Sequence, residues 1–182
     1  MHLSFWNKLL LAASCILLLA LTSATSLRAQ TEEAFGDDAT DPVRLFERGQ
    51  SAHAHGELEK ALGFYEQALK VRPEFPEAQF QRGNALASLN RLDEAETAFR
   101  AAISLKKNWS LPYSTLGALL MRRQRDAEAE QLFRQALTID AQDGLALRML
   151  ADVRLRAKDP KQALEFAKRA TALPEAPASS WI

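Results

Sequence analysis

The chain is short of the residues on which most chemistry and most covalent stabilisation depend. It has one cysteine, Cys15, and that lies ahead of Gln30 in the leading segment. A disulfide framework is therefore excluded, and the rest of the chain must hold together by packing alone. Seven glycines and seven prolines in 182 residues are too few for a fibrous or disordered chain. Neither sign of charge prevails: 23 basic residues balance 23 acidic ones. This argues against a dedicated nucleic-acid binder, which would carry a basic stripe and a high pI. The glycines do not cluster into a phosphate-binding loop. His53 and His55 are two apart, share no helical face, and have no cysteine or carboxylate cluster beside them, so they do not read as a metal site. No serine, cysteine or lysine sits in a recognisable nucleophile setting. Exposed charges such as Arg122, Arg123, Glu128 and Glu130 read as solvated faces. Neither an enzyme nor a cofactor is expected.

What the chain has is alanine, 32 copies of it, and a strict period. Gly49, Gly83, Gly117 and Ala151 recur every 34 places, as do Ala61, Ala95, Ala129 and Ala163. Ala68, Ala102, Ala136 and Ala170 form a third column, and Tyr65, Phe99, Phe133 and Ala167 a fourth. Self-similarity at such a period means a stacked array and excludes a single globular core. Each copy reads as two helices with a short turn. In the first, Val43 to His55 precedes Gly56, and Leu58 to Val71 precedes Pro73. Gly56 suits a left-handed residue at a helix end, Asn90 tolerates the same conformation, and Pro73 stops the second helix. Asp159-Pro160 reads as an N-cap followed by the first helical residue. A glycine inside a helix costs roughly 1 kcal/mol relative to alanine, so its recurrence at one phase points to close approach of the paired helices.

The segment up to Gln30 is a different material. Lys8 precedes an apolar run from Leu9 to Leu21, and small and polar residues follow. This order predicts a signal peptide over residues 1–29, cut after Ala29; the alternative is an uncleaved membrane anchor over residues 9–25. The sequence around Cys15 superficially resembles a lipoprotein cleavage site, but the apolar run continues through Ile16 to Leu21, which argues against lipidation. Residues 30–41 lack apolar periodicity; Glu32, Glu33, Asp37, Asp38 and Asp41 make them an acidic linker. The last copy is basic, with seven Lys or Arg against four acids over residues 144–177. The plain reading is a solvated face, and the sharper one a patch that selects an acidic partner.

A small residue at position 8, Ala at 20, an aromatic at 24, Ala at 27 and Pro near 32 closely resemble the tetratricopeptide repeat. The copies are 42–75, 76–109, 110–143 and 144–177. The departures are Ala151, Ala167 and the single proline of that column, Pro73. Trp181 falls one full period after Leu147, so residues 178–182 resemble the opening of a truncated fifth repeat; folding back of Trp181 and Ile182 onto the last helix is the other reading. The resemblance implies an all-α fold, a right-handed α-solenoid of about four helix-turn-helix units. It also implies a groove lined by first helices. Carried onto this sequence, the partner-binding groove holds Phe46, Gln50 and His53, then Phe80 and Asn84, then Met121 and Arg122, then Arg148, Asp152 and Arg156. Val43, Ala87, Leu111, Ala118 and Leu145 flank them. Phe46 and Phe80 are either peptide anchors or packing between repeats. The Lys and Asn with which one subgroup grips a peptide carboxylate are replaced by Phe46 and Gln50. The implied function is a non-catalytic scaffold binding partner proteins or peptides, without nucleic acid and with a membrane only if the leader stays uncleaved. The expected location is the periplasm of a bacterium, the inner membrane being the alternative. Equally compatible is the recognition module of a longer protein with a downstream catalytic or secretion-related domain.

Overall fold

The computed structural model describes residues 40–173. The leader, residues 30–39 of the acidic linker and the Trp181 register lie outside them. Among the described residues there are eight helices and no strand. They are α1 (Pro42–Ala54), α2 (Leu58–Val71), α3 (Pro76–Ser88), α4 (Leu92–Leu105), α5 (Ser110–Arg122), α6 (Asp126–Ile139), α7 (Gly144–Arg156) and α8 (Pro160–Thr171). Successive first helices begin at Pro42, Pro76, Ser110 and Gly144, in step with the sequence period. None of the helices is long and apolar enough to cross a membrane.

Four of the eight helices, α1, α3, α7 and α8, start on local signals. Asp41, Asp143 and Asp159 accept hydrogen bonds from the backbone amides of Val43, Ala146 and Gln162, capping α1, α7 and α8. Pro42, Pro76 and Pro160 stand at the first helical position, where no amide is needed. The turn inside each pair uses one left-handed residue at the same phase: Gly56, Asn90, Gln124 and Lys158, with φ of 75°, 60°, 61° and 59°. The first two are residues suited to that conformation. Gln124 and Lys158 adopt it against their preference, because the antiparallel pairing of α5 with α6 and of α7 with α8 demands the same turn.

Packing follows from the small columns. Ala61, Ala68, Ala95, Ala102, Ala129 and Ala136 are fully buried, and so are Tyr65, Phe99 and Phe133 between them. Each of these rings lies on the backbone of a first helix. A methyl group added at Gly83 would meet Cε1 of Phe99 at 2.6 Å, and one at Gly117 would meet Cε1 of Phe133 at the same distance. Only glycine admits the ring, which is what offsets its cost in the helix. In the fourth repeat both partners change together. Ala151 replaces the glycine, Ala167 replaces the ring, and the aromatic moves one residue to Phe166, which is 8% exposed.

Candidate functional site

The curvature of the array comes from unequal contact. Every helix packs on the next, but α1 also touches α3 and α5 touches α7, while the second helices make no comparable contact with one another. First helices therefore lie on the tighter side of the stack and present its inner surface.

The ten groove positions divide into two kinds. Gln50, Arg122, Arg148 and Arg156 are exposed, and His53, Asn84 and Asp152 are half-buried. Arg156 Nη2 donates to Asp152 Oδ2 at 2.9 Å, and Asn84 Nδ2 to Gln81 Oε1 at 3.1 Å. Burial lowers the pKa of His53, which favours a neutral imidazole at neutral pH. Phe46, Phe80 and Met121 are used inside the stack. Phe80 is 6% exposed, with ring centroids 5.7 Å from Phe99 and 5.0 Å from Trp109. Phe46 repeats this arrangement at 5.8 Å from Tyr65 and 5.0 Å from Phe75. Met121 is 7% exposed, within the main core. The packing reading of Phe46 and Phe80 therefore describes their surroundings, and the polar positions form the accessible part of the surface.

The third repeat breaks the aromatic pattern. Ser114 and Asp143 occupy the places of Phe80 and Trp109, and both are buried. Ser114 Oγ donates to the Leu111 carbonyl at 3.1 Å, and Asp143 Oδ1 accepts from the Ala146 amide at 2.9 Å. Polar atoms are satisfied there by local backbone, as burial requires.

Sequence reasoning missed a buried charge network, and its reading of Arg123 and Glu130 as solvated faces needs correction. The Glu96 side chain on α4 is 7% exposed. It is bonded to Arg100 on its own helix, to Arg123 Nη1 at 2.6 Å and to Arg125 Nη1 at 2.9 Å. Arg123 also reaches Asp93 at 2.7 Å, and Arg125 reaches Glu128 at 2.7 Å. Burial alone would raise the Glu96 carboxyl, but hydrogen bonds from Arg125 and Arg100 outweigh it and hold the group below the usual glutamate range. One repeat on, Glu130 is paired with Arg134 and with Arg154 on α7. The available signal was a glutamate at one phase of two successive repeats, Glu96 and Glu130, each with an arginine one helical turn later, Arg100 and Arg134. The network ties the second repeat to the third and the third to the fourth.

Among the described residues no group of three His, Cys, Asp or Glu side chains is placed to hold a metal ion. The arrangement offers instead a surface of polar and cationic side chains on rigid helices, suited to holding a chain laid across several repeats.

Models of the tetratricopeptide repeat match residues 46–111 and 113–139, together just over half of the chain. No curated protein matches the sequence. Among solved structures, a crystal structure of MamA superposes with a TM-score of 0.69 at 16% identity, covering 77% of this chain and 82% of that one. The first tetratricopeptide domain of Spaghetti (RPAP3), bound to the HSP90 peptide SRMEEVD, gives 0.63 at 21% identity, covering 66% and 96%. The domain of Arabidopsis OM64 gives 0.63 at 24%, covering 65% and 98%. The chain belongs to the tetratricopeptide-repeat family.

Proposed function

We propose that this protein is a non-catalytic scaffold of the bacterial cell envelope that holds partner proteins or peptides along the inner surface of the array. The observation that carries this reading is the set of first-helix polar side chains that the fold leaves accessible: Gln50, Arg122, Arg148 and Arg156 are exposed, while Phe80 is buried and Phe46 half-buried. The peptide bound by the Spaghetti domain is a precedent for such use of the fold. The carboxylate grip is not the mode here, because Phe46 stands where the gripping lysine would be and is packed against Tyr65 and Phe75. Arg122 and Arg148 make the C-terminal part of the surface cationic, Arg156 being paired with Asp152, and acidic stretches are the partner chemistry they favour. The envelope location rests on the leader-like residues 1–29.

The test is crosslinking capture from envelope extract with the full-length protein and with an Arg122→Glu/Arg148→Glu variant. The same partners should be captured by the first and lost by the second at unchanged helical content. Capture indifferent to the charge reversal would remove this surface from consideration. Fractionation of the expressed protein should give a processed chain in the periplasm, and an unprocessed chain in the membrane fraction would favour the anchored form.

A further inference from the structure

Position 30 of each repeat, at the close of its second helix, is apolar: Val71, Leu105, Ile139 and Leu173. The fold leaves it largely unburied. Val71, Leu105 and Ile139 are 51%, 39% and 38% exposed. At position 2, near the start of a first helix, Leu111 is 37% exposed and Leu145 is half-buried. Second helices end and first helices begin at the same edge of the array, so each junction between repeats presents its apolar pair there, Leu105 with Leu111 and Ile139 with Leu145. Apolar side chains scattered singly over a surface need no explanation, but a row of them along one edge marks a contact surface. The two junctions differ in charge. The first carries Lys106 and Lys107; Lys106 is paired with Glu77 at 2.9 Å, which leaves Lys107 as the free cation among the described residues. The Tyr113 hydroxyl fixes this loop by donating to the Lys107 carbonyl at 3.1 Å. The second junction carries Asp140, exposed, with Oδ1 accepting the Gln142 amide at 2.9 Å and without an ion pair among the described residues.

We propose that this edge pairs with the same edge of a second copy, about a two-fold axis that passes between the two junctions. Antiparallel pairing sets Leu105 and Leu111 of one copy against Ile139 and Leu145 of the other, and Lys107 against Asp140. The two-fold then repeats each contact, since in such an interface residue i meets j and j meets i. The same register sets Val71 opposite Leu173. Charge selects the occupant: a partner of one sign matches one junction and is repelled at the other, whereas a reversed copy of this chain matches both. Curvature of the array is no obstacle, because only two adjacent junctions have to meet. Two junctions per copy make a small interface, below about 1,200 Å² in total, the class of transient complexes. The pairing uses the ends of second helices and leaves the exposed Gln50, Arg122 and Arg148 open, so the dimer offers two inner surfaces at once.

The experiment is sedimentation equilibrium on the full-length protein, with helical content checked for every variant. The parent should show a reversible monomer–dimer equilibrium with a Kd between about 1 µM and 1 mM. Leu105→Glu, which places two carboxylates in the apolar rungs, should weaken it at least about tenfold. Lys107→Glu and Asp140→Lys should each weaken it about fivefold or more, because each sets two like charges against each other across the axis. The double variant restores both pairs with the signs exchanged and should return to within about twofold of the parent. Carbodiimide should join Lys107 to Asp140 within the dimer of the parent. A strict monomer at about 1 mM, association unchanged by Leu105→Glu, a double variant no tighter than the single ones, or assemblies that grow beyond the dimer by end-to-end stacking would each overturn the proposal.

Discussion

The first two repeats and the last two share a backbone plan but are held by different forces. In the first two, a ring on the first helix (Phe46, Phe80) is wedged between the ring of its own pair (Tyr65, Phe99) and an aromatic just before the next repeat (Phe75, Trp109). In the third repeat the wedge is replaced by capped and satisfied polar groups, Ser114 and Asp143. In the fourth, the ring and its glycine are exchanged together for alanines. Charge adds to the rings at the second junction, where Glu96 draws Arg123 and Arg125, and stands without an aromatic wedge at the third, where Glu130 draws Arg154. The repeat period thus specifies a geometry and leaves open how each junction is stabilised. Rings offer large area and are insensitive to acid, whereas a buried carboxylate among arginines is sensitive to it.

The sharpest break in this contrast is Phe99→Ala, which removes a fully buried ring. Equilibrium denaturation should show a loss of about 3–5 kcal/mol. Phe166→Ala, at a ring that is 8% exposed, should lose less. Equal losses would mean that the last repeat is packed as firmly as the second. Next is Glu96→Gln, with an expected cost of about 1.5–3 kcal/mol at neutral pH, the range for hydrogen bonds to charged groups. Because the folded carboxyl is held below its unfolded value, its contribution is complete at neutral pH and is lost as pH falls through the folded pKa. The variant should therefore show a flatter stability profile in acid, and an unchanged profile would assign the acid sensitivity elsewhere.

Gly83→Ala should cost about 1–3 kcal/mol, because the Phe99 ring has nowhere to move. In a Phe99→Ala background the penalty should vanish, reproducing the Ala151 and Ala167 pair of the fourth repeat; a persistent penalty would show that something other than the ring requires glycine. The smallest effect belongs to Tyr65, whose hydroxyl is buried without a hydrogen-bond partner. Tyr65→Phe should be neutral or stabilising by up to about 1 kcal/mol. Burial pushes the Tyr65 phenol up to about 12. The unfolded chain ionises first as pH rises above the ordinary tyrosine value, so stability should fall at alkaline pH in the parent and less in the variant.

Much of the fold was legible because a repeat samples each rule four times. Alanine and glycine columns at one phase mark close helix contacts, and Gly56 and Asn90 marked the turn. Gln124 and Lys158 could not, since a side chain forced into a left-handed turn by its surroundings leaves no compositional trace. The candidate site was legible in position more than in character. The period placed Phe46, Phe80 and Met121 on first helices beside Gln50 and Arg148. Which of them face a neighbouring helix and which face solvent depends on the distance to the next repeat, a non-local quantity. The Glu96 network escaped for the same reason: Arg123 and Arg125 meet Glu96 only when the turn of the third repeat settles over α4.

The sequence by itself determined the period, the helix boundaries near their caps and prolines, and the glycine columns, because each rests on contacts within one repeat unit. Only the tertiary structure decided that Phe80 is interior and Arg148 exterior, and that Glu96 is buried among arginines. Burial and ion pairing between repeats depend on how the units stack, and stacking is a relation between segments that local sequence does not contain.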